Sequence, residues 1–348
     1  MTKSAWKAYK QFAMGKEGLA PLTNGSFGGN TGKSIIAALS TLKVMGLEEE
    51  FTEGRQWLAG NWKFESLNGT YRDRSFFNQI SEFMGGFLSA YALTGDQLFL
   101  DEATEIVAAT EPVFNTTTGL PMEEFNSKTK VADDDVPPLK TAGGTFLEFA
   151  YYAKATGRQQ VVARARQNRR YLREHRSADG LYGIGVNVNL AASEKQFEKN
   201  AQFGLDWNSN AFYRALLLSA IQSNGSDSEG LAMYSEAVEA LIEKGYIISY
   251  RNGTVAIPFR RSQQSFRDEF VNLVDNCNLG GLMALEAETL KAANYSAEIV
   301  DRHRQLGLRI GEDCYKAANN TLTKLPPHMF LAVYHLPERL SEAKYWLS

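Results

Sequence analysis

The sequence is poor in the residues that build metal sites and disulfide scaffolds. It has two cysteines and four histidines in 348 residues, which excludes a disulfide-rich scaffold and a cysteine-ligated zinc ribbon. The histidines, at positions 175, 303, 328 and 335, are scattered and form no pair at metal-ligand spacing. We therefore expect no transition-metal site.

The chain also lacks a long apolar run and an excess of positive charge. No apolar segment approaches the roughly 18 residues of a membrane span, and 37 basic against 40 acidic residues give a net charge of −3. Nucleic-acid-binding proteins usually carry a concentrated basic surface, so we expect no nucleic-acid partner. An apolar content of 44% is enough for a sizeable core, and the sequence predicts a globular protein.

Sequons for N-glycosylation are abundant. Seven N-x-S/T sequons begin at Asn24, Asn68, Asn115, Asn224, Asn252, Asn294 and Asn319. Such sequons are glycosylated in the secretory pathway, so we expect a protein of the endoplasmic reticulum or Golgi lumen, or a secreted one, whose natural form carries an N-terminal signal or membrane anchor. Polar loops rich in Asn, Ser and Thr are the alternative explanation. In an oxidising compartment Cys277 and Cys314 could pair.

Apolar residues recur at spacings of three and four along most of the chain, which is the pattern of amphipathic helices. The clearest runs are residues 35–45, 76–93, 146–155, 212–221 and 279–290. Most are followed by a short polar turn and a second, more charged helix. Segments 87–95 and 149–157 resemble each other, and both end in Thr-Gly, where glycine supplies the left-handed conformation that ends a helix.

Repeated helical hairpins of this kind predict an all-α fold in a single domain, residues 1–348. A hairpin cannot bury its apolar face alone, so neighbouring hairpins must stack. An inner ring of apolar helices within an outer ring closes the stack into an (α/α) toroid of about six hairpins. A minor β-hairpin is expected at Tyr246–Pro258, where residues 251–254 (RNGT) supply the turn.

Residues 28–34 (GGNTGKS) look like a phosphate-binding loop. The required spacing places a glycine at position 27, which is Phe27. Phosphate binding also depends on strand-loop-helix geometry, and we expect no strand before this loop. We therefore interpret these residues as a glycine turn that leads into the helix of Ile35.

Several strings resemble the class I α-1,2-mannosidases, glycoside hydrolase family 47, which trim N-glycans in the secretory pathway. The most specific are residues 85–91 (GGFLSAY) with 93–96 (LTGD), 112–116 (PVFNT) with 118–121 (TGLP), and 147–149 (LEF). The matches follow the family's order over nearly the whole chain. The resemblance implies an (α/α) toroid, normally of seven hairpins, with the active site inside the barrel. It also places Cys277 and Cys314 where the family has its disulfide.

The resemblance does not extend to the family's catalytic residues. Alignment places the general-acid glutamate at Asn78, the arginine before the family's Gly-Gly at Glu82, and the catalytic aspartate at Ser209, while one family glutamate survives as Glu338. Glycoside cleavage needs a proton donor and a carboxylate that directs water. An amide cannot donate a useful proton, and a serine without an activator is no base. We therefore expect no glycosidase activity.

The other aligned changes make the expected lumen less charged. Thr141 and His328 stand where the family has glutamates, Val274 replaces a histidine, and Phe146 replaces a polar residue. The segment that holds the family's calcium is absent, so we expect that calcium site to be lost and no cofactor to be bound. A neutral, partly apolar pocket suits an apolar small molecule that is bound mainly by shape.

These changes predict a repurposed barrel that binds an apolar small-molecule substrate in secondary metabolism. It would catalyse a cofactor-independent cyclisation or isomerisation, for which a pericyclic step is suited because the pocket can fold the substrate into a reactive conformer. The expected catalytic residues are Asn78, Glu82, Ser209 and Glu338. The expected substrate-binding residues are Thr141, Phe146, Phe149, Trp207, Phe212, Val274 and Asp275. Ordinary helix packing would explain each of these aromatic residues equally well.

Two alternatives to this predicted function fit the same sequence. The main alternative is a catalytically inactive glycan-binding or glycoprotein quality-control protein of the secretory pathway. A degenerate gene duplicate is the third, and the intact helix patterns argue against it.

Overall fold

The computed structural model describes residues 1–69, 71–191, 194, 196–197, 201–249, 255–257, 261–262, 271–273, 276–327 and 329–331. These residues are mainly helical, as predicted. The helices are α1 Thr2–Ala13, α2 Lys33–Val44, α3 Glu48–Asn61, α4 Tyr71–Arg74, α5 Phe76–Asn78, α6 Gly85–Thr94, α7 Gln97–Ala109, α8 Leu139–Gly143, α9 Phe146–Thr156, α10 Gln159–Glu174, α11 Asn210–Gln222, α12 Ser228–Glu243, α13 Cys277–Ala292 and α14 Ala297–Asn319. A wide π-helical turn, Gln79–Met84, connects α5 to α6, and two 3₁₀ turns lie at Phe64–Ser66 and Glu111–Phe114.

Short strands form five antiparallel pairs in the described residues. The strands are β1 Gly18–Ala20, β2 Gly25–Phe27, β3 Glu124–Asn126, β4 Val131–Asp133, β5 Gln202–Phe203, β6 Ile248–Ser249, β7 Val255–Ala256, β8 Arg261–Ser262, β9 Val271–Leu273 and β10 Met329–Leu331. The pairs are β1–β2, β3–β4, β5–β8, β6–β7 and β9–β10. The predicted β-hairpin is present as β6–β7, with Ile248 opposite Ala256, and its turn lies outside the described residues.

The chain divides into two compact units. Unit 1 consists of Met1–Pro137, Thr141–Tyr171 and Asn187–Glu194, and unit 2 of Pro138–Lys140, Leu172–Val186 and Lys195–Ser348. The single domain expected from the sequence stays a prediction. None of the helices within the described ranges is long and apolar enough to cross a membrane.

Helical hairpins are the repeated element. Five of them lie in the described part of the chain, against about six expected: α2–α3, α6–α7, α9–α10, α11–α12 and α13–α14. The two Thr-Gly signals end their helices as predicted, because Gly95 follows α6 with φ of 70° and Gly157 follows α9 with φ of 75°. Both glycines are therefore in the left-handed region that favours glycine.

The glycine turn before α2 is confirmed, but the expectation that no strand precedes it is wrong. Gly32, with φ of 64°, comes directly before the first residue of α2, and β2 ends at Phe27. The two strands are joined by the turn of residues 21–24 (PLTN), in which Asn24 is left-handed with φ of 51°, and our reading overlooked this turn-forming sequence. β2 pairs antiparallel with β1, so the segment does not have the strand-loop-helix arrangement of a phosphate-binding loop.

In unit 1, α2 and α6 pack at close range because α6 has a glycine at the contact. A Cβ on Gly86 would lie 2.4 Å from Ile36 Cγ2 and 3.3 Å from the Ile36 carbonyl oxygen. Phe87 continues the core on the same helix, with its ring edge-to-face with Trp62 at 4.8 Å between centroids. Both side chains are buried. The contact brings the first residues of α6 beside α2.

In unit 2, α13 and α14 form the most closely packed hairpin. A Cβ on Gly280 would lie 2.9 Å from the Gly307 carbonyl oxygen, and one on Gly307 would lie 2.7 Å from that of Gly280. The structure joins the same two helices by a disulfide between Cys277 and Cys314, with Cα atoms 5.9 Å apart. This is the pairing that the sequence resemblance implies.

Candidate functional site

A polar pocket opens in unit 1 beside the wide turn between α5 and α6. Turns of this π-helical kind are uncommon and often occur at functional sites. The cavity has a volume of about 390 Å³. Its lining comes from α2, the wide turn, α6 and α9, and consists of Lys33, Ala37, Ser81, Glu82, Gly85, Gly86, Ser89 and Glu148.

An ion pair organises one side of this pocket. Lys33 Nζ lies 2.6 Å from Glu82 Oε2 and 3.7 Å from Glu17 Oε1. The Lys33 side chain is 23% exposed and that of Glu82 39% exposed, so the pair is in contact with solvent. Glu82, expected as a catalytic residue, does lie in the pocket. There it pairs with the ammonium group of Lys33, a residue that our sequence analysis assigned only to a turn.

Glu148 supplies the second carboxylate of the pocket. A Cβ on Gly85 would lie 3.5 Å from Glu148 Cγ and 3.8 Å from its Oε1, so the absence of a side chain at Gly85 is what lets Glu148 approach the start of α6. The available signal for this residue was its position in the Leu-Glu-Phe string at 147–149. Sequence reasoning could count Glu148 among the carboxylates near apolar helices that a glycosidase would need, but it could not tell which of them converge, and Glu148 was not among the expected site residues.

Asn78, the first expected catalytic residue, is held by backbone contacts. Its Nδ2 donates to the Arg72 carbonyl oxygen at 3.2 Å, and its backbone N–H donates to Ser75 Oγ at 3.2 Å. Asn78 is half-buried and is not among the residues that line the polar pocket. It therefore serves the local turn at the start of α5.

Thr141 is fully buried and faces another carboxylate. Its hydroxyl donates to Glu123 Oε2, and Ser75 Oγ donates to Glu123 Oε1 at 2.6 Å. Glu123 is 1% exposed, so this cluster is closed to a ligand. Thr141 was expected to bind substrate, and the structure instead uses its hydroxyl to satisfy a buried carboxylate that the sequence analysis did not identify.

Phe146 and Phe149 pack inside unit 1, away from the polar pocket. Both are 5% exposed, and they border a small cavity of about 20 Å³, a volume that fits about one water molecule. The Arg169 guanidinium lies 3.7 Å from the Phe146 ring centroid, a cation–π geometry. The helix-packing explanation accounts for these two rings better than the expected role in binding substrate.

The expected site residues of unit 2 are mostly internal. Ser209 is fully buried and its hydroxyl donates to the Gly204 carbonyl oxygen at 2.8 Å. Phe212 is also fully buried, with its ring 5.0 Å from that of Tyr182. Trp207 is 46% exposed. Ser209 and Phe212 thus stabilise the start of α11, and Trp207 is the one of the three that a ligand could reach. Val274, Asp275 and Glu338, together with His328, lie outside the described residues.

Unit 2 also contains a buried charged cluster that the sequence analysis did not single out. His303 Nδ1 lies 2.9 Å from Glu286 Oε1, and Nε2 lies 2.5 Å from Glu239 Oε1. Burial raises the pKa of Glu286, and the adjacent His303 opposes that shift. Tyr234, also buried, has its pKa raised by burial and by Glu286. Since His303 and Glu286 are both fully buried, the cluster connects helices and does not face a ligand.

Metal ligation has no candidate in the described part of the chain, where no group of three or more His, Cys, Asp or Glu side chains could hold an ion. The expected loss of the calcium site stays a prediction.

Repeated helical hairpins are typical of a class of protein, the (α/α) barrels. Residues 1–346 match the profile of Glycosyl hydrolase family 47. The chain belongs to this family, as the sequence resemblance implied.

Relatives of known activity agree with this assignment. The chain is 29% identical over 341 residues to mannosyl-oligosaccharide alpha-1,2-mannosidase IA of Spodoptera frugiperda, covering 95% of this chain and 48% of the relative. It is 30% identical over 342 residues to mannosyl-oligosaccharide 1,2-alpha-mannosidase IB of Mus musculus, covering 95% and 50%. The chain therefore spans about half the length of the curated relatives it matches.

Solved structures show the same fold. An alpha-1,2-mannosidase from Trichoderma reesei matches with a TM-score of 0.79 at 18% identity, over 94% of this chain and 69% of the other. A cellobiose 2-epimerase from Bacillus thermoamylovorans matches with a TM-score of 0.60 at 13% identity, over 90% and 84%. At these identities the similarity shows the fold alone, which is the predicted (α/α) barrel.

Proposed function

We propose that the protein binds a mannose-containing saccharide in the polar pocket of unit 1 and does not hydrolyse it. The observation that carries this proposal is the lining of the pocket. Lys33, Ser81, Glu82, Ser89 and Glu148 offer hydrogen-bond donors and acceptors, which is what a polyhydroxylated ligand needs for orientation. The saccharide class is taken from relatives named mannosyl-oligosaccharide mannosidases.

The support for an absence of hydrolysis is the set of residues at the aligned catalytic positions. Cleavage needs one carboxylic acid that protonates the leaving oxygen and one carboxylate that directs water. Asn78 is an amide engaged with the Arg72 carbonyl. Glu82 is paired with Lys33, so its carboxylate is already engaged by an ammonium group of the pocket. On this proposal the polar groups of the pocket serve binding.

An apolar substrate suits this pocket less well than the sequence suggested. Binding it would remove water from Lys33, Glu82 and Glu148 without replacing their hydrogen bonds, which is costly. Cyclisation or isomerisation of such a compound stays an untested prediction. The polar side chains Lys33, Glu82 and Glu148 are the support for the glycan-binding alternative.

Binding is tested by calorimetric titration of the full chain with α-1,2-mannobiose. We expect saturable binding in about the millimolar range, typical of a small ligand held by few contacts, and at least a roughly tenfold loss in Glu148→Gln. Glu49→Gln, an exposed carboxylate on α3, is the matched control and should bind like the wild type. Equal affinity in both variants would place the binding site elsewhere and overturn the assignment to this pocket.

Catalysis is tested separately by incubating the chain with α-1,2-mannobiose and calcium and measuring free mannose. We expect no release above the uncatalysed background. Release that disappears in Glu82→Gln and Glu148→Gln would show that these two carboxylates form a working pair, and the non-hydrolytic proposal would be wrong. Thermal stabilisation by terpenoid or polyketide compounds, with none by mannobiose, would favour the apolar-substrate hypothesis instead.

We further propose a location in the secretory pathway. The support is the disulfide between Cys277 and Cys314, since disulfides persist in oxidising compartments. Membrane fractionation of the source cells, with detection of the chain by antibody, should place it in a protease-protected lumenal fraction or in the medium. Recovery in the cytosolic fraction would contradict this location.

A further inference from the structure

Left-handed backbone conformations in this chain coincide with sequons. In the described residues, six residues other than glycine have positive φ: Asn24, Lys130, Asp134, Asn224, Asn294 and Lys324. All three asparagines among them begin an N-x-S sequon. Asparagine enters this region of φ more readily than other non-glycine residues, so the conformation itself is ordinary, and what these three share besides it is the serine two residues later.

Two of these asparagines follow the first helix of a hairpin. The Asn224 N–H donates to the Ile221 carbonyl oxygen at 3.0 Å, and the Gly225 N–H donates to that of Ala220 at 2.7 Å. This pair of bonds is the Schellman motif, in which the residue after the helix is left-handed. Asn294 ends α13 with the same two bonds. Both residues therefore lie at the tip of a tight turn between two helices.

The turn itself does not require asparagine. At the end of α2 the same pair of bonds is closed by Gly46, with φ of 68°, and glycine adopts this conformation at less cost. At Asn224 and Asn294 the chain has instead an exposed amide with a serine two residues later. The third left-handed asparagine, Asn24, lies exposed in the turn of the β1–β2 hairpin, followed by Gly25 and Ser26.

The remaining described sequons are less available in the folded protein. Asn68 is half-buried and its Nδ2 donates to the Glu65 carbonyl oxygen at 2.5 Å. Asn319 is the last residue of α14, and the hydroxyl of its sequon partner Thr321 is engaged in hydrogen bonds. Asn115 is exposed, but Thr117 is bonded to a segment distant in the chain: its hydroxyl donates to the Leu190 carbonyl oxygen and its N–H to Asn189 Oδ1, both at 3.2 Å. The Ser226 hydroxyl of the Asn224 sequon bonds only within its own turn, to the Ser223 carbonyl oxygen at 3.0 Å.

We infer that N-linked glycans are attached at Asn24, Asn224 and Asn294, in preference to Asn68, Asn115 and Asn319. In this transfer the amide nitrogen Nδ2 forms a bond to C1 of an oligosaccharide carried on a lipid diphosphate. The bond from C1 to the diphosphate oxygen breaks, the amide loses one proton, and the lipid diphosphate leaves. The inference rests on the proposed location, because that compartment supplies both the donor and the transferase.

The two helical sites lie away from the beginning of α11. Asn210 is the first residue of α11 and Asn276 directly precedes α13, with Nδ2 of Asn210 3.3 Å from Oδ1 of Asn276. The helices have 13 and 16 residues, so at 1.5 Å per residue their tips lie roughly 20 Å and roughly 24 Å from these beginnings. Glycans at Asn224 and Asn294 would leave the segment that contains Asp206 and Ser209 uncovered.

The test is cell-free translation of the full chain behind a cleavable signal peptide, with rough microsomes. We expect a ladder of gel mobilities that endoglycosidase collapses to one band. Asn24→Gly, Asn224→Gly and Asn294→Gly should each remove one step, because glycine keeps the left-handed turn while removing the acceptor. Ser226→Ala should remove the same step as Asn224→Gly, and Ser226→Thr should restore it. Asn68→Gln and Asn319→Gln should leave the ladder unchanged.

For the Asn294 site the serine is not a suitable target, since Ser296 also caps α14 by accepting from the Ile299 N–H. Asn252 lies outside the described residues, so the triple glycine variant also carries Asn252→Gln. Endoglycosidase-sensitive glycan on that variant, or a wild-type chain with none, would overturn the inference. Microsomes supply the compartment, so such a result would not depend on where the natural protein resides. Glycosylation in the microsomes, together with an unmodified protein in the source cells, would contradict only the proposed location.

Discussion

Lys33 is the residue whose role changes most between sequence and structure. In the sequence it belongs to a string that resembles a phosphate loop, and we assigned it to a turn. In the structure it begins α2 and pairs with Glu82 across a close contact between α2 and α6. The pair depends on Gly86, because any larger residue would separate the two helices.

We expect the Lys33–Glu82 pair to contribute modestly to stability. A double-mutant cycle with Lys33→Gln and Glu82→Gln should give a coupling energy of about 0.5–1 kcal/mol, because solvent screens a pair this exposed. Urea unfolding of the four proteins at low salt measures it, and the coupling should shrink at higher salt. A coupling unaffected by salt would mean that the pair is shielded from solvent in a way that the structure does not show.

Glu102, on α7, is a second residue whose surroundings predict a measurable property. Partial burial, reinforced by the nearby charges of Glu105 and Asp101, raises the pKa of Glu102 to about 7. A raised folded-state pKa means that stability is greatest below the ordinary value of 4.5 and falls as pH rises through about 7. In Glu102→Gln this part of the decline should disappear, so the variant should gain stability over wild type at pH 8 but not at pH 5.

Urea unfolding at the two pH values checks the prediction for Glu102. Glu49→Gln, which removes an exposed carboxylate from α3, serves as the control and should follow the wild type. If the free energy of unfolding of Glu102→Gln differs from that of the wild type by the same amount at pH 5 and pH 8, the Glu102 carboxyl group is more hydrated than its surroundings indicate.

At the scale of elements, hairpin turns are the features that sequence and structure share most closely. Gly95 and Gly157 end their helices as the Thr-Gly pattern predicted. A Cβ built on either glycine would have nothing within 4 Å. The requirement for glycine at both positions is therefore conformational and does not come from packing.

Gly95→Ala and Gly157→Ala should each lower the free energy of unfolding by about 1 kcal/mol, the cost of a left-handed conformation for a residue with a Cβ. Gly281→Ala is the matched control. Gly281 lies exposed inside α13 with open space around it, so alanine there should raise stability by about 0.5–1 kcal/mol through helix propensity. Equal effects at all three positions would contradict the conformational argument.

The contacts that side chains make inside the hairpins were harder to predict than the residues at which the helices end. Phe146 and Phe149 lie on an apolar helix, and periodicity alone does not tell which neighbour an apolar side chain meets. In the structure they pack within unit 1 around a cavity of about 20 Å³. Thr141 was assigned to the site by alignment, but its hydroxyl is directed to the buried Glu123, a partner 18 residues away along the chain that no sequence pattern indicates.

At the scale of the whole molecule, the disulfide acts on the unfolded chain more than on the folded one. Cys277 and Cys314 are 37 residues apart, and closing a loop of that length removes conformational entropy from the unfolded state. Replacing both cysteines by serine should lower the free energy of unfolding by about 3–4 kcal/mol. The wild type in excess reductant should match the variant in urea titrations.

Reduction that leaves the urea midpoint unchanged would argue against this contribution of the disulfide. The tight α13–α14 contact through Gly280 and Gly307 would then hold the hairpin by itself. A variant that keeps both cysteines but carries Gly280→Ala separates the two contributions, because it disturbs the packing and leaves the cross-link.

The amino-acid sequence determined the class of fold, the left-handed glycines at Gly95 and Gly157, the β6–β7 pairing and the family. These features depend on local periodicity, on turn chemistry and on motifs that are close together in the chain. Tertiary structure decided the site. Lys33, Glu82 and Glu148 come from three separate segments, and they share a pocket because α2 and α6 meet at Gly86 and because Gly85 leaves room for Glu148. Which side chains face a cavity is set by packing between helices distant in sequence, and no local pattern encodes it.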